Sequence, residues 1–126
     1  MAIEFFDKEG KGFAPKVSIR QHGQIGLNQG AINRYDIKDG QYALIGYDRE
    51  KRMVVIKVMD EREKGSKRIL VRTTGNSRSG SISAKGFLDY FQIPYTKSTS
   101  FILEKDKQSG FLFFYLKPEG DSAKDG

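Results

Sequence analysis

Residues 17–45, VSIRQHGQIGLNQGAINRYDIKDGQYALI, constrain the fold of this chain most, because they read as one compact unit whose pattern returns in the second half. Val17, Ser18, Ile19 and Arg20 alternate apolar and polar, Gly23 interrupts, and Ile25 and Leu27 resume, which is the pattern of two half-buried strands joined by a turn. A short helix is expected next: Asn28 suits an N-cap, Ala31, Ile32 and Tyr35 fall at helical spacing, and Lys38, Asp39 and Gly40 end the segment. Residues 42–47 then read as a strand, residues 48–52 as a polar turn, and residues 53–59 as a fourth strand.

The second half can be laid over the first in ungapped blocks. Val17, Ile19 and Arg20 fall on Ile69, Val71 and Arg72, and Gly23 falls on Gly75. After a polar insertion at residues 76–79, residues 30–37 fall on 86–93, Leu44 and Ile45 on Ile102 and Leu103, Asp48 on Asp106, and Val54 and Ile56 on Leu112 and Phe114. The expected organisation is an N-terminal arm (1–15), a first repeat (16–59), a charged linker (60–67), a second repeat (68–117) and a disordered polar tail (118–126). At 126 residues there is room for one domain, and each half alone is too small to bury an adequate core, so the two are expected to share one. The expected fold class is mainly β with two short helices, an internally duplicated pseudo-twofold small barrel in which each half runs β-β-α-β-β.

The run from Val17 through Gly23, Gln24, Ile25 and Leu27, followed by a helix and by Ile37, Lys38 and Gly40, resembles the swapped-hairpin domains of the AbrB/MazE/SpoVT-like family. That family carries a G-Q-I-T-L-P turn and second strand, then a helix, then G-I-K-x-G-D. Asn28 stands where the family has a proline and Asp36 where it has a glycine. Family members pair two such units into one small barrel, so two units in tandem imply a barrel built by a single chain, as in the MraZ-like relatives, or a homodimer of such chains. Closing the sheet would remove exposed strand edges.

In AbrB-like repressors, basic residues of the first strand and adjacent turn contact DNA. The resemblance therefore implies a nucleic-acid surface built from Lys16 and Arg20 and from their repeat mates Arg68 and Arg72, with His22 and Arg78 in or beside the turns and Lys85 at the start of the second helix. Strand alternation independently turns Lys16 and Arg20 away from Val17 and Ile19. A guanidinium fork suits phosphate oxygens or a guanine edge. Lysine and arginine exceed aspartate and glutamate by 22 to 16, a net charge of +6, which favours an acidic partner.

Other chemistries find little material. With no cysteine and a single histidine, His22, neither a disulfide framework nor a metal site is expected, and no nucleophile, base and orienting acid arrive at a recognisable spacing; no cofactor and no enzymatic activity are expected. No apolar run approaches the length of a membrane span, and a soluble cytoplasmic protein is expected. Residues 111–115, with Phe111, Phe113, Phe114 and Tyr115, are aromatic on both faces and read as a core strand whose second face is covered by the N-terminal arm or by a partner protein. The expected function is duplex-DNA binding as a small transcriptional regulator or accessory factor. The alternatives are a protein-interaction module of antitoxin-like or mobile-element-like kind, and a single-stranded nucleic-acid binder that would add Phe113 or Tyr115 as stacking platforms.

Overall fold

A computed structural model describes residues 14–116, so most of the expected N-terminal arm and all of the expected tail lie outside the described residues. Among these residues, 46% are in strands and 12% in two short helices, and all strand pairing is antiparallel.

The chain opens with a hairpin of β1 (Lys16–Arg20) and β2 (Gln24–Leu27), in which Val17 faces Leu27 and Ile19 faces Ile25. Gly23 closes the turn at φ +82°, its N–H donating to the Arg20 carbonyl at 2.9 Å. It must also be small, because a Cβ there would lie 2.7 Å from Lys85 Cβ. Helix α1 (Gln29–Arg34) starts where expected, with Asn28 Oδ1 accepting the Ala31 N–H at 2.8 Å. Strands β3 (Tyr42–Asp48) and β4 (Met53–Met59) follow, joined by a turn in which Asp48 Oδ1 accepts from the N–H groups of Glu50 and Lys51.

The remaining elements are β5 (Lys67–Arg68), β6 (Leu70–Thr74), β7 (Ser77–Ser83), α2 (Lys85–Tyr90), β8 (Thr99–Ile102), β9 (Glu104–Lys105) and β10 (Leu112–Tyr115). Two boundaries differ from expectation. The linker ends early, because Lys67 pairs with Ala43 and Arg68 with Tyr42. Residues 77–79 are strand: Gly75 and Asn76 form a two-residue turn, and Ser77, Arg78 and Ser79 pair with Thr74, Thr73 and Arg72, so the polar insertion lengthens β7.

Strand order in the first sheet is β6-β7-β2-β1-β8, and in the second β5-β3-β4-β10-β9. Each sheet therefore joins strands from both halves of the chain. The central pairs are β2 with β7, Ile25 facing Ile82, and β4 with β10, Val54 facing Phe114. The inward residues form one hydrophobic core with Val17, Ile25 and Ile82 from the first sheet and Val54, Ile56 and Phe114 from the second, all at most 1% exposed. Phe101 and Phe114, one from each sheet, meet with ring centroids 5.3 Å apart.

The helices also cross between halves. Ile32 of α1 packs on β7, where a Cβ at Gly80 would come 3.0 Å from Ile32 Cδ1. The Tyr35 hydroxyl donates to the Leu103 carbonyl at 2.9 Å, and burial raises the pKa of that phenol. At the start of α2, the Ala84 N–H donates to Gly23 O at 2.9 Å. Both helices end in a residue at positive φ, Asp36 at +52° and Gln92 at +57°. In each case the next residue's N–H returns to the helix, Ile37 to Ile32 O and Ile93 to Leu88 O.

Candidate nucleic-acid interface

The alternation that buries Val17 and Ile19 turns Lys16, Ser18 and Arg20 to the outside of the first sheet. Pairing registers then define the rest of that face. Ser18 stands beside Gly26 on β2 and Ser100 on β8, with the two hydroxyl oxygens 3.1 Å apart. Gly26 stands beside Ser81, and Arg72 beside Ser79. Ser77, Ser79, Ser81 and Ser83 alternate with the inward Gly80 and Ile82 along β7. The outward positions of these five strands hold cations, hydroxyls, the Gln24 amide, Gly26 and two exposed aliphatics, Leu70 and Ile102, and no carboxylate.

Arg20 does not extend freely into solvent. Its guanidinium lies flat across β2, so close to Gly26 that a Cβ there would sit 2.5 Å from Arg20 Cζ. It borders a surface depression of about 370 Å³ that Ser18, Ser77, Arg78 and Ser79 also line. Arg78 is held from the helix side: its N–H donates to Gln29 Oε1 at 2.9 Å and its Nη1 to Asn33 Oδ1 at 3.2 Å. Neither arginine belongs to the ion pairs of the described residues, which join Lys38 to Asp36, Lys57 to Glu63 and Lys85 to Asp89.

Of the seven residues singled out in the sequence, Lys16, Arg20 and Arg72 share this face and Arg78 borders it. Arg68 does not join them on that sheet; it pairs with Tyr42 in β5, at the edge of the second sheet, because the backbone is interrupted at the fully buried Ile69. His22 is exposed in the β1–β2 turn. Lys85 is engaged on its own helix, 3.1 Å from Asp89, whose other carboxylate oxygen accepts the Tyr95 hydroxyl at 2.8 Å. The Asp89 hydrogen bond holds the Lys85 ammonium above its usual pKa, and the Tyr95 and Lys85 hydrogen bonds hold the Asp89 carboxyl below its own. No group of three or more His, Cys, Asp or Glu side chains among the described residues is arranged to hold a metal ion.

Sequence reasoning missed Gly26 and the serines of β7. Their signal was the period-two run of Ser77, Ser79, Ser81 and Ser83, disguised because serine is a weak strand former. It also missed an aromatic group at the end of α2. Phe87, Tyr90 and Phe91 cluster there with Tyr47, Arg49 lies 5.0 Å from the Phe91 ring centre, and Tyr90 is 74% exposed.

The outer face of the second sheet is different in kind. Val55 and Phe113 are neighbours across β4 and β10, as are Met53 and Tyr115, and with Phe111 and Lys51 they line a depression of about 300 Å³. Phe113 is half-buried and Tyr115 exposed, while Leu112 and Phe114 point into the core, so the outer face of the final strand is aromatic and its inner face is shared by a leucine and a phenylalanine. No helix among the described residues is long and apolar enough to cross a membrane. No family model matches the chain, and no curated protein or solved structure matches it either.

Proposed function

We propose that this protein binds duplex DNA through the outer face of the first sheet, as a small regulator or accessory factor. One observation carries the reading: three cations, Lys16, Arg20 and Arg72, stand among serines on a sheet face whose outward strand positions hold no carboxylate. Small hydroxylated residues let a sheet approach a phosphate backbone closely and supply donors to it, while the arginines neutralise charge. With β2 and β7 between them, β1 and β6 are separated by three strand spacings, about 14 Å. The registers also set Arg20 level with Ser83 and Arg72 level with Ser79, so the two arginines stand apart both across and along the sheet and address separate phosphates of a duplex.

The same proposal includes the architecture. The chain is an internally duplicated, swapped-hairpin barrel of AbrB-like kind, acting as its own pseudo-dimer. Supporting this are the central pairing of β2 with β7 and of β4 with β10, and the exchange of helix contacts between halves. The left-handed residues Asp36 and Gln92 stand at matched positions, and Asp36 is where the resembling family has glycine.

A second reading has its own observation: half-buried Met53, Val55 and Phe113 and exposed Tyr115, rimmed by Lys51 and Asp106, form an outer face that suits a protein partner. The test is fluorescence anisotropy of a labelled random-sequence duplex titrated with the protein at several salt concentrations. Micromolar or tighter binding at low salt, with log K falling steeply against log salt, is the expected result. Absence of binding at low salt rejects the DNA reading and leaves the apolar face to be tested with protein partners.

A further inference from the structure

The outer face of the second sheet has two halves. On one half, the segment leading into β5 and β6 lies against β3 and β4: a Cβ at Gly65 would stand 3.6 Å from Leu44 Cδ1, and Glu63 Oε2 is 3.8 Å from Lys57 Nζ. Leu44 and Lys57 are register partners, and they share the outward side with Val55 and Phe113. That segment then closes the sheet edge, Lys67 and Arg68 pairing with Ala43 and Tyr42. On the other half, Met53, Val55, Phe113 and Tyr115 line the depression of about 300 Å³.

The lead into β1 points to this second half. Only Leu103 separates β8 from β9, and its N–H donates to the Pro15 carbonyl at 3.0 Å, one rung beyond the pair of Lys16 with Ile102. Followed backward from β1, the chain therefore runs alongside β8 toward β9. Strand β9 pairs with β10, which carries Phe113 and Tyr115.

We infer that residues 1–13 cover the second half of this face, with Phe5 and Phe6 seated against Val55, Phe113 and Tyr115. The inference is independent of the nucleic-acid reading, and a partner protein would have to displace the arm to reach the face. Length suffices: thirteen residues at roughly 3.3 Å each reach about 43 Å, whereas neighbouring strands lie about 4.8 Å apart. Chemistry fits too. Phe5 and Phe6 are adjacent and flanked by Glu4, Asp7 and Lys8, and the rim offers Lys51 and Asp106, one group of each sign. A segment tethered this closely meets the face at an effective concentration of about millimolar, which favours it over a separate chain with the same side chains.

The chain contains no cysteine, so one spin label can be placed without background. The experiment uses the full isotope-labelled chain with Ala2→Cys carrying a nitroxide, and compares amide NMR intensities before and after the nitroxide is reduced. The expected result is a selective loss of intensity at Val55, Phe113 and Tyr115, with Ser18 and Ser81 of the first sheet unchanged. Adding Phe5→Ser with Phe6→Ser should restore the lost intensity. No loss at the three residues, or equal loss at Ser18 and Ser81, overturns the inference, as does a loss that persists in the double serine variant.

A mixed sample separates the chain's own arm from that of a second copy: isotope-labelled protein without nitroxide is combined with unlabelled protein that carries it. Unchanged intensities in the mixture are expected. Loss at Val55, Phe113 and Tyr115 there assigns the cover to a second copy and overturns the inference. If the double serine variant fails to fold, the Ala2→Cys pattern and the mixture decide together.

Discussion

Turned outward, the first sheet carries Lys16, Arg20 and Arg72 among serines, while the second carries Met53, Val55, Phe113 and Tyr115; turned inward, both carry the same aliphatic and phenylalanine side chains. The inner faces must match because they fill one core at close packing. Nothing in the packing demands that the outer faces differ, so their contrast reports on what each meets. A face of small hydroxyls and cations is suited to a charged, hydrated partner. One of half-buried aromatics is suited to an apolar cover.

The broadest test of that comparison is whether the two sheets are one structure. Phe114 is fully buried on the second sheet and touches Phe101 of the first. Phe114→Ala should cost about 3–5 kcal/mol in urea unfolding, with the signals of both sheets lost in one transition. Two separate transitions would break the shared core into independent layers. Next in size is the contrast between faces. Arg20→Ala with Arg72→Ala should lower duplex affinity by roughly a hundredfold and the salt slope by about two, with Tm nearly unchanged because exposed strand charges add little stability. Phe113→Ser with Tyr115→Ser should leave duplex affinity as it was. The reverse outcome would move the nucleic-acid surface to the second sheet.

Smaller effects probe the matched helix ends. A glutamine held at φ +57° is strained in a way glycine is not, so Gln92→Gly should stabilise by roughly 1 kcal/mol in thermal unfolding, and Asp36→Gly by less, since aspartate tolerates that conformation better. Equal destabilisation by both would argue against backbone strain at these turns. Smallest is a pH effect at α2. The Tyr95 and Lys85 hydrogen bonds hold the Asp89 carboxyl below its usual value. Its contribution is thus complete above the unfolded carboxylate pKa of about 3.9 and is lost as pH falls through the lower folded value. Asp89→Asn should lower Tm slightly near neutral pH, with the gap closing below about pH 4. A gap that persists in acid would assign the effect to packing.

Much of the local structure was legible in the residues. The hairpin around Gly23, the Asn28 cap and the span Met53–Met59 follow from alternation and turn chemistry that neighbouring residues settle among themselves. The second half was read less well. Ser77 and Ser79 looked like a polar insertion, yet they extend β7 along β6, pairing with Thr74 and Arg72, while residues 80–83 pair with β2 as well, and this pairing decides against a loop. Lys67 looked like linker because it is charged, yet its backbone, with that of Arg68, completes the edge beside β3.

The candidate site divides in the same way. Strand alternation alone was sufficient to turn Lys16, Arg20 and Arg72 outward, because side-chain direction along a strand has a period of two wherever the strand goes. Three features depended on contacts between residues far apart in the chain. These were the resting of Arg20 on Gly26, the joining of Arg78 to the same depression, and the assignment of Arg68 to the other sheet. Register between distant strands is chosen by the shared core, where burying Ile25 against Ile82 and Val54 against Phe114 selects one alignment among many. Local pattern therefore specified which residues face water, and tertiary pairing decided which of them face it together.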